Sequence, residues 1–380
     1  MAQHVRTDWT LFWTIVVMVC FGLVMVYSSS SVMAELKYKD STHFIARQVG
    51  WAVLSFFVLM YCKRTDYRRL KKPVYAFAAL GTVLIMLVAV YFFDSHQHRW
   101  FRLSVISLQP SEFAKPALAL FLAYFLSRRT MDSVNNRHTL LQATLVISVL
   151  AFAVVVADLG TAIVLVATAG VVFFAAGLDR RYCLIATAAL ILFAGIAVAS
   201  KPYRLMRVIS RIDPDFTMLD AINPGGGIKR YINTSETTRD AGYQARQSRI
   251  AVGSGGLTGL GLMQSKQKWL FLPEAHTDFI YAVVGEEFGL FGCAAVLGGF
   301  LLIAWRGLRL YYIAADDFGR YLALGVTASI VLQALINMSV VLDMGPTKGI
   351  PLPMISTGGS SLLSTLLCLG ILLSVSEQSS

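Results

Sequence analysis

The stretch FLPEAHTDFIYAVVGEEFGLFG, residues 271–292, contains the side chains best suited to chemistry. Asp278 stands where a hydrophobic helix would begin, and Glu286 and Glu287 lie about two turns further along that helix. A carboxylate at such a position is costly unless it is functional or paired. Asp278 is therefore a candidate general base, because a free aspartate is ionised at neutral pH.

Small residues follow Asp278 along one face of this predicted helix. A rotation of about 100° per residue puts Ala282, Gly285, Gly289 and Gly292 below the carboxylate. A close helix–helix contact is the favoured interpretation, since small residues at this spacing usually serve packing. A groove that admits a lipid tail below a reactive carboxylate is the alternative.

A second polar group lies in RWFRLSVISLQPSEFAKPA, residues 99–117. Ser111 is predicted to cap a helix, Glu112 suits the positive helix start, and Lys115 follows three residues later. A buried ion pair that stabilises the helix and a pair that positions Lys115 near Asp278 are equally compatible with this spacing.

A third polar group is MGPTKGIPLPMISTGGSS, residues 344–361, whose prolines and glycines interrupt any helix. Irregular backbone at membrane depth survives where it is buried in protein or lines a cavity. Its amides and the ammonium of Lys348 are suited to an anion such as pyrophosphate. We therefore favour a functional interpretation for this segment.

Basic residues are also frequent before Asp278. A solvated basic loop explains most of them individually, but the cluster SKQKWLFLPEAH directly precedes the aspartate. One base, several cations and a lipid-accessible groove fit a transferase that uses a polyprenyl-pyrophosphate-linked substrate. They equally fit a transporter of an anionic lipid, and the residues alone do not choose. The basic residues are Arg204, Arg207, Arg211, Arg246, Arg249, Lys266 and Lys268.

Composition identifies the elements that must position these side chains. Of the 380 residues, 56% are apolar and 14% are charged, with a mean hydropathy of +0.63, which indicates an integral membrane protein. We predict an all-α, polytopic single domain, residues 1–380, with about ten transmembrane helices. The predicted spans are 10–29, 47–62, 73–93, 111–127, 139–157, 159–178, 182–200, 278–305, 320–342 and 356–376.

The distribution of Lys and Arg predicts the orientation. With both termini in the cytoplasm, basic runs such as KRTDYRRLKK fall inside, and the short outer loops are less basic. One large extracytoplasmic loop, about 201–277, then connects the seventh and eighth helices. The net charge of +11 needs no nucleic-acid partner, because much of it belongs to cytoplasmic basic residues that face anionic lipid.

Part of the large loop has helical periodicity. In TRDAGYQARQSRIAVGSGGLTGLGL, residues 238–262, Tyr243, Gln247 and Ile250 share one face, and glycine turns follow. This pattern predicts a short amphipathic helix suited to the membrane surface.

Several motifs together resemble the SEDS family (shape, elongation, division and sporulation), and they cover most of the chain in the expected order. They are RWF…QPSEFAK, DLGTAIVL, YQARQSRIAVGSGGLTGLGL, LPEAHTDFIYAVVGEEFG and GPTKGIPLPMISTGGSSLL. The resemblance implies a ten-helix peptidoglycan glycosyltransferase that polymerises lipid II outside the bacterial cytoplasmic membrane. LPEAHTDFI and PTKG are more similar to the division branch than to the elongation branch, which implies septal synthesis.

The resemblance also implies roles for individual residues. Asp278 matches the family's catalytic aspartate, and would accept the proton of the lipid II acceptor hydroxyl. Arg99, Lys115 and Lys348 would stabilise the leaving undecaprenyl pyrophosphate, with Lys268 as a further candidate. The predicted substrate-binding residues are Arg99, Glu112, Lys115, Gln247, Ser248, Lys268, His276, Lys348, Ser356, Gly358, Gly359 and Ser360.

The implied partners are lipid II, an undecaprenyl-pyrophosphate-linked glycan, a class B penicillin-binding protein (a transpeptidase) and other division proteins. No cofactor or protein-bound metal site is predicted, although a divalent cation, Mg²⁺ or Mn²⁺, on the pyrophosphate is left open. Two alternative functions also remain open at this point: a lipid II flippase or transporter, and a scaffold without catalysis. Transport would favour inverted repeats, and we find none in the sequence.

Overall fold

The described residues of the chain are almost entirely helical. The computed structural model describes residues 7–94, 99–103, 106–182, isolated positions between 184 and 196, 238–269, 271–344 and 349–379. The helices are α1 (Trp9–Tyr38), α2 (His43–Arg64), α3 (Pro73–Phe93), α4 (Pro110–Leu126), α5 (Met131–Val134), α6 (Arg137–Ala157), α7 (Leu159–Ala175), α8 (Thr238–Gly255), α9 (Ile280–Ile313), α10 (Asp317–Val341) and α11 (Gly359–Gln378). A 3-10 helix, Tyr67–Lys71, connects α2 to α3.

Seven of the described helices are long and apolar enough to cross a membrane: α1, α2, α3, α6, α9, α10 and α11. The helix α7 is apolar but shorter, with 17 residues. Each predicted span except 182–200 coincides with a described helix, and 182–200 lies largely outside the described residues. The all-helical polytopic fold is therefore confirmed, whereas the count of ten spans stays a prediction.

Helix lengths differ from the prediction at the ends of α1 and α9. These helices have 30 and 34 residues and continue beyond the predicted limits of 29 and 305. About 20 residues suffice to cross the hydrocarbon, so both helices are longer than one crossing requires. Hydropathy detects the apolar part of a helix, but backbone hydrogen bonding continues through the polar turns that follow.

A single residue, Asp158 in the sequence ADLG, connects α6 to α7. Asp158 ends α6, and its carboxylate caps α7 by accepting a hydrogen bond from Gly160 N at 3.0 Å. An aspartate at a helix N-terminus satisfies amides that have no partner within the helix. The helix α7 therefore follows α6 without an intervening loop.

The centre of the bundle is formed by α10 and α11. In their apolar windows 72% and 78% of the residues are buried, compared with 22% in α2 and 33% in α1. The helix α10 packs against α9, α4 and α7, while α11 packs mainly against α2. Polar side chains on α10 or α11 are therefore enclosed by protein, where they must find partners.

The helix α9 is interrupted at Gly289, which has φ 63° and ψ −157°. Leu290 N, which would pair with Glu286 O in a regular helix, donates to Gly256 O at 3.0 Å. The carbonyl of Glu286 accepts from Leu260 N at 3.0 Å instead. The segment after α8 thus satisfies the backbone groups freed by the kink, as an irregular backbone within a membrane requires.

The small-residue stripe below Asp278 makes the predicted close contact. A Cβ on Gly255 would overlap the carbonyl of Gly285, and a Cβ on Gly289 would overlap the backbone of Leu257 and Gly259. The contact partner is the end of α8 together with its glycine turns. Because both backbones approach so closely, only glycine fits at these positions.

A small antiparallel hairpin precedes α4. Its strands are β1 (Phe101–Leu103) and β2 (Ile106–Leu108), with Phe101 opposite Leu108. The sequence analysis did not predict it, because two three-residue strands leave little periodic signal. The hairpin leads directly into α4, which carries Glu112 and Lys115.

Candidate active site

Asp278 lies half-buried just before α9 and touches the irregular segment before α11. A Cβ on Gly349 would overlap the Asp278 carboxylate, so the side chain lies directly against the backbone of that residue. Asn337 on α10 donates to Asp278 O at 2.8 Å and to Ile350 O at 2.7 Å. One buried amide therefore joins the segment of the aspartate to the segment of Gly349.

Further hydrogen bonds fix the two residues that precede Asp278. Ser356 Oγ donates to Thr277 O at 2.5 Å, and Thr357 N donates to His276 O at 3.1 Å. Ser356 Oγ also accepts from Leu352 N at 2.8 Å, which holds the turn in shape. The segments 271–292 and 344–361, which were identified separately from the sequence, thus pack together, and Asp278 lies at their contact.

The glycines Gly358 and Gly359 place the start of α11 against α2. Gly358 N donates to Gln48 Oε1 at 3.2 Å, and a Cβ on Gly359 would overlap the indole of Trp51. Ser360 is buried in the first turn of α11. These contacts hold the start of α11, and with it the end of the segment that contacts Asp278, against α2.

We expect Gly349→Ala to lower polymerisation on the order of 10²-fold, because the new methyl group would displace the Asp278 carboxylate from its place. The measurement is the rate of glycan polymerisation by the purified variant at equal protein concentration. Gly81→Ala on α3 is the matched control, since nothing lies within 4 Å of a Cβ there. Wild-type rates for both variants would contradict a positional requirement at Gly349.

Glu112 and Lys115 form the predicted ion pair. Lys115 Nζ lies 2.7 Å from Glu112 Oε2, and both side chains are almost fully buried, at 5% and 0% exposure. Lys115 Nζ also donates to Gln333 Oε1, and Gln333 Nε2 donates to Pro351 O at 2.8 Å. The cation is therefore connected through Gln333 to the segment that contacts Asp278.

The predicted cap at Ser111 is wrong. The N-cap residue of α4 is Gln109, Pro110 occupies the first turn, and no side chain caps the helix. Ser111 lies inside the first turn, fully buried, with its hydroxyl 2.9 Å from the Gln109 amide. Proline at the helix start needs no amide partner, which lets the helix begin two residues earlier than a cap at Ser111 would place it.

Arg99 is held beside the same region. Its Nη2 lies 3.2 Å from Asp158 Oδ2, and with the amide of Gln109 oriented to suit its neighbours, Gln109 accepts from Arg99 Nε at 3.0 Å. Asp158 also caps α7, where Gly160 packs against Ile350. The Arg99 side chain keeps 25% exposure, so its guanidinium is both anchored and accessible to an anion.

Glu286 and Glu287 are buried and anchor the loop before Asp278. Ser265 Oγ donates to Glu286 Oε2 at 2.5 Å, and Ser28 Oγ donates to Glu287 Oε1 at 2.6 Å. Lys268 Nζ lies 3.4 Å from Glu287 Oε1 and is 3% exposed. Glu286 and Glu287 therefore hold the two ends of the segment 265–287 together, and Asp278 lies near the middle of that segment. Lys268 lies at the end of the segment that Glu287 holds.

Ser248 and Gln247 lie on α8. Ser248 is fully buried, and its Oγ donates to Val341 O at 2.7 Å, which packs α8 on α10. Gln247 is half-buried, and Tyr243 and Ile250 on the same predicted face are 41% and 47% exposed. The predicted amphipathic helix exists, with that face turned outward. Its place at a membrane surface stays a prediction.

Lys348 lies outside the described residues, as do Arg204, Arg207 and Arg211.

A cavity of about 450 Å³ lies beside the kink in α9. Gly289, Leu290 and Tyr281 line it together with Val252 and Leu297, so it is largely apolar. The small-residue stripe below Asp278 thus makes a close backbone contact and also borders an apolar cavity. A substrate chain in this cavity stays a prediction.

His276 is buried and packs on Phe44, with ring centroids 4.9 Å apart. Burial lowers the pKa of His276 below the ordinary value of about 6.5, Glu274 opposes this change, and Lys37 adds to it. The unfolded chain consequently binds a proton at His276 more readily than the folded chain does.

We expect this histidine to make the protein less stable in acid. Its contribution is fully present above pH 6.5, and it declines as the pH falls from there towards the lower folded pKa. The measurement is the Tm in detergent between about pH 7.5 and 5.5. His276→Asn should flatten that dependence, whereas His138→Asn, at an exposed position on α6, should not. A wild-type slope in His276→Asn would contradict this account.

Several residues that support the site were not predicted from the sequence. Gln333 and Asn337 are four residues apart on α10, so they share one face of an otherwise apolar helix, and this pattern is a detectable signal. Asp158 could have been found as a helix cap after an apolar run. Gln48 gives a weaker signal, since it lies near the start of α2.

No group of three or more His, Cys, Asp and Glu side chains in the described part of the chain is arranged to hold a metal ion. The divalent cation on the pyrophosphate stays a prediction.

Comparisons with known proteins agree over the whole chain. The family model described as "Cell cycle protein" (FtsW, RodA, SpoVE) matches residues 8–380. A Geobacter metallireducens protein named "Probable peptidoglycan glycosyltransferase FtsW" is 38% identical, over 98% of this chain and 95% of its own. The "Stage V sporulation protein E" of Bacillus subtilis is 36% identical, over 94% of this chain and 93% of its own.

Solved structures show the same fold. One described as "Structural coordination of polymerization and crosslinking by a peptidoglycan synthase complex" matches with a TM-score of 0.75 and 25% identity, covering 98% of each chain. The rod shape determining protein RodA of Thermus thermophilus matches with a TM-score of 0.67 and 23% identity, covering 98% of this chain and 97% of its own. The motifs, the helical fold and the full-length family match agree, and the chain belongs to the FtsW/RodA/SpoVE family, which is the SEDS family.

Proposed function

We propose that this chain is a peptidoglycan glycosyltransferase that polymerises lipid II into glycan strands, for septal synthesis during cell division. Full-length relatives at 35–38% identity are named as probable glycosyltransferases of this kind. The observation that carries the proposal is the carboxylate of Asp278 against the irregular backbone at Gly349, in a segment that Gln333 connects to the buried cation Lys115. This arrangement combines a base with groups suited to an anionic leaving group.

The reaction is a single displacement at the anomeric carbon of the growing glycan. Asp278 accepts the proton of the GlcNAc 4-hydroxyl of lipid II while the oxygen of that hydroxyl forms a bond to the anomeric carbon. The bond from the carbon to the pyrophosphate oxygen breaks, and the electron pair leaves with undecaprenyl pyrophosphate. One displacement inverts the anomeric configuration, which converts the α-linked donor into a β-linked glycan.

Cations near Asp278 stabilise the leaving pyrophosphate. Arg99 is anchored by Asp158 yet remains accessible, and Lys115 is linked through Gln333 to the segment at Pro351. Preorganised charges of this kind act strongly because they need no rearrangement during reaction. Lys348 is assigned the same role from its motif alone.

The protein is integral to the inner membrane, and we place both termini in the cytoplasm with the site facing outward. Thr7 Oγ1 donates to Glu377 Oε1 at 2.6 Å, so the two termini meet. Arg306, near the far end of α9, pairs with Asp8 at 2.5 Å, whereas Asp278 precedes the start of that helix. The termini and the aspartate thus lie at opposite ends of the bundle, and the basic residues near the termini favour the cytoplasm.

We further propose a class B penicillin-binding protein as the membrane partner, together with other division proteins. The polymerisation and crosslinking complex with the same fold supports a transpeptidase partner. Polymer made by this chain would then be crosslinked where it emerges.

The test incubates the purified chain with fluorescent lipid II, with and without its partner transpeptidase, and resolves the products on a gel. We expect a ladder of glycan chains on the gel, together with release of undecaprenyl pyrophosphate. The same protein in liposomes is assayed for lipid II translocation. Translocation without polymer would favour a transporter, and neither activity in the presence of the partner would favour a scaffold.

A further inference from the structure

A second cavity opens at the end of the bundle that carries the termini. Its volume is about 590 Å³, within the range of roughly 300–1,000 Å³ usual for ligand sites. Side chains from α2, α3, α4 and α11 form its walls. Along α3 it extends from Tyr75 to Met86, which corresponds to a depth of about 16 Å at 1.5 Å per residue.

The cavity is polar at its mouth and apolar in its depth. The mouth is at the 3-10 helix, where Arg69 and Asp66 line it, and Val83, Met86 and Phe113 line the deep part. The exposed rings of Tyr61 and Tyr75 flank the opening. Aromatic side chains with a polar tip are typical of the boundary between lipid and water. The cavity is thus oriented like a membrane lipid, with a headgroup end and a tail end.

The mouth presents a cation that has no acidic partner in the described part of the chain. Two of the neighbouring lysines are paired: Lys63 Nζ lies 3.0 Å from Glu377 and Lys71 Nζ lies 3.2 Å from Asp316. Asp66 directs its carboxylate to Arg68 N at 2.8 Å, which satisfies part of its charge locally. Arg69 is exposed, lines the cavity and forms no ion pair with any described residue.

We propose that this cavity binds an anionic phospholipid of the cytoplasmic leaflet, with its phosphate at Arg69 and one acyl chain along α3. An arginine fork matches the geometry of a phosphate, and net negative lipid charge adds attraction to the basic run 63–72. The site is separate from the one around Asp278, at the other end of the bundle. Bound lipid would fill the space between α3 and α4, next to Pro116 and Ala117.

The first test measures lipid binding to the intact chain in detergent by native mass spectrometry, with phosphatidylglycerol and phosphatidylcholine as probes. We expect phosphatidylglycerol to bind more tightly, and Arg69→Gln to weaken that binding about 5-fold, as expected for the loss of one basic residue near anionic lipid. Arg64→Gln is the matched control, because Arg64 belongs to the same basic run and is exposed but does not line the cavity.

The second test uses Cys62, a free thiol that lines the cavity. In a variant with Cys20→Ser and Cys183→Ser, phosphatidylglycerol should slow alkylation of Cys62 by a membrane-permeant maleimide. The slowing should diminish in Arg69→Gln and persist in Arg64→Gln. Ala79→Phe, which places a ring in the cavity, should reduce retention of the lipid.

Three outcomes would overturn the proposal. Equal loss of phosphatidylglycerol in Arg69→Gln and Arg64→Gln would reduce the effect to general surface charge. Equal binding of phosphatidylcholine and phosphatidylglycerol would show that the cavity does not recognise an anionic headgroup. Displacement by a lower concentration of undecaprenyl phosphate would assign the cavity to the polyprenyl chain of the substrate.

Discussion

Asp278→Asn is expected to insert and fold normally and to lose polymerisation by about 10²–10⁴-fold, the usual contribution of a general base. Asparagine is close in shape to aspartate, so the packing against Gly349 persists, but the amide cannot accept the acceptor proton. The backbone carbonyl of residue 278 still receives the Asn337 hydrogen bond. The loss should therefore fall on the rate and not on the amount of folded protein.

The measurement compares the polymerisation rates of wild type and Asp278→Asn at saturating lipid II, together with their Tm values. Asp40→Asn is the control, because it removes one exposed carboxylate from the turn between α1 and α2, away from the site. Normal polymer from Asp278→Asn would exclude the aspartate as the base. A lower Tm in that variant would instead indicate a structural role.

Lys115→Met is expected to destabilise the protein by about 3–5 kcal/mol, since it leaves the Glu112 carboxylate buried without its cation. The other Glu112 oxygen, Oε1, has no hydrogen-bond partner among the described residues, so few groups remain to compensate the charge. The double variant Glu112→Gln, Lys115→Met removes both charges and should recover most of that stability. Polymerisation by the double variant should stay low, because the cation assigned to the leaving group is still missing.

Unfolding in detergent, followed by helical circular dichroism or intrinsic fluorescence, measures the stability of these variants. Arg320→Met is the matched control, because Arg320 and Asp317 form a pair with the same spacing of three residues, at 45% and 60% exposure. An exposed pair of this kind contributes at most about 1 kcal/mol. Full recovery of both stability and polymerisation in the double variant would limit Lys115 to a structural role.

Much of the helical framework was predictable from the sequence, because hydrocarbon imposes a simple rule on it. A span must be apolar over about 20 residues, and it satisfies its own backbone within the helix. The limits of α3 and of α6 were consequently predicted within a few residues. The pair of Glu112 and Lys115 was predictable for a similar reason, since three residues along a helix bring side chains together.

The details of α4 and α9 show where local reasoning fails. Hydropathy gives no signal for the kink at Gly289, because the glycine is apolar and its neighbours fit a helix. The kink is stable because Gly256 and Leu260, more than 25 residues earlier in the chain, supply backbone partners. Likewise, the site's connection from Lys115 through Gln333 to Pro351 joins three segments that sequence periodicity cannot relate.

By itself, the sequence determined the helical membrane class, the approximate positions of nine of the ten predicted spans, the candidate base Asp278 and the irregular segment near residue 350. These depend on composition and on spacing within one helix, which are local properties. Only the tertiary structure decided that Asp278 lies against Gly349, that Asn337 joins both segments, and that Lys268 pairs with Glu287. Such contacts are decided by the packing of α9, α10 and α11, because the partners that stabilise these buried polar groups lie in distant parts of the chain.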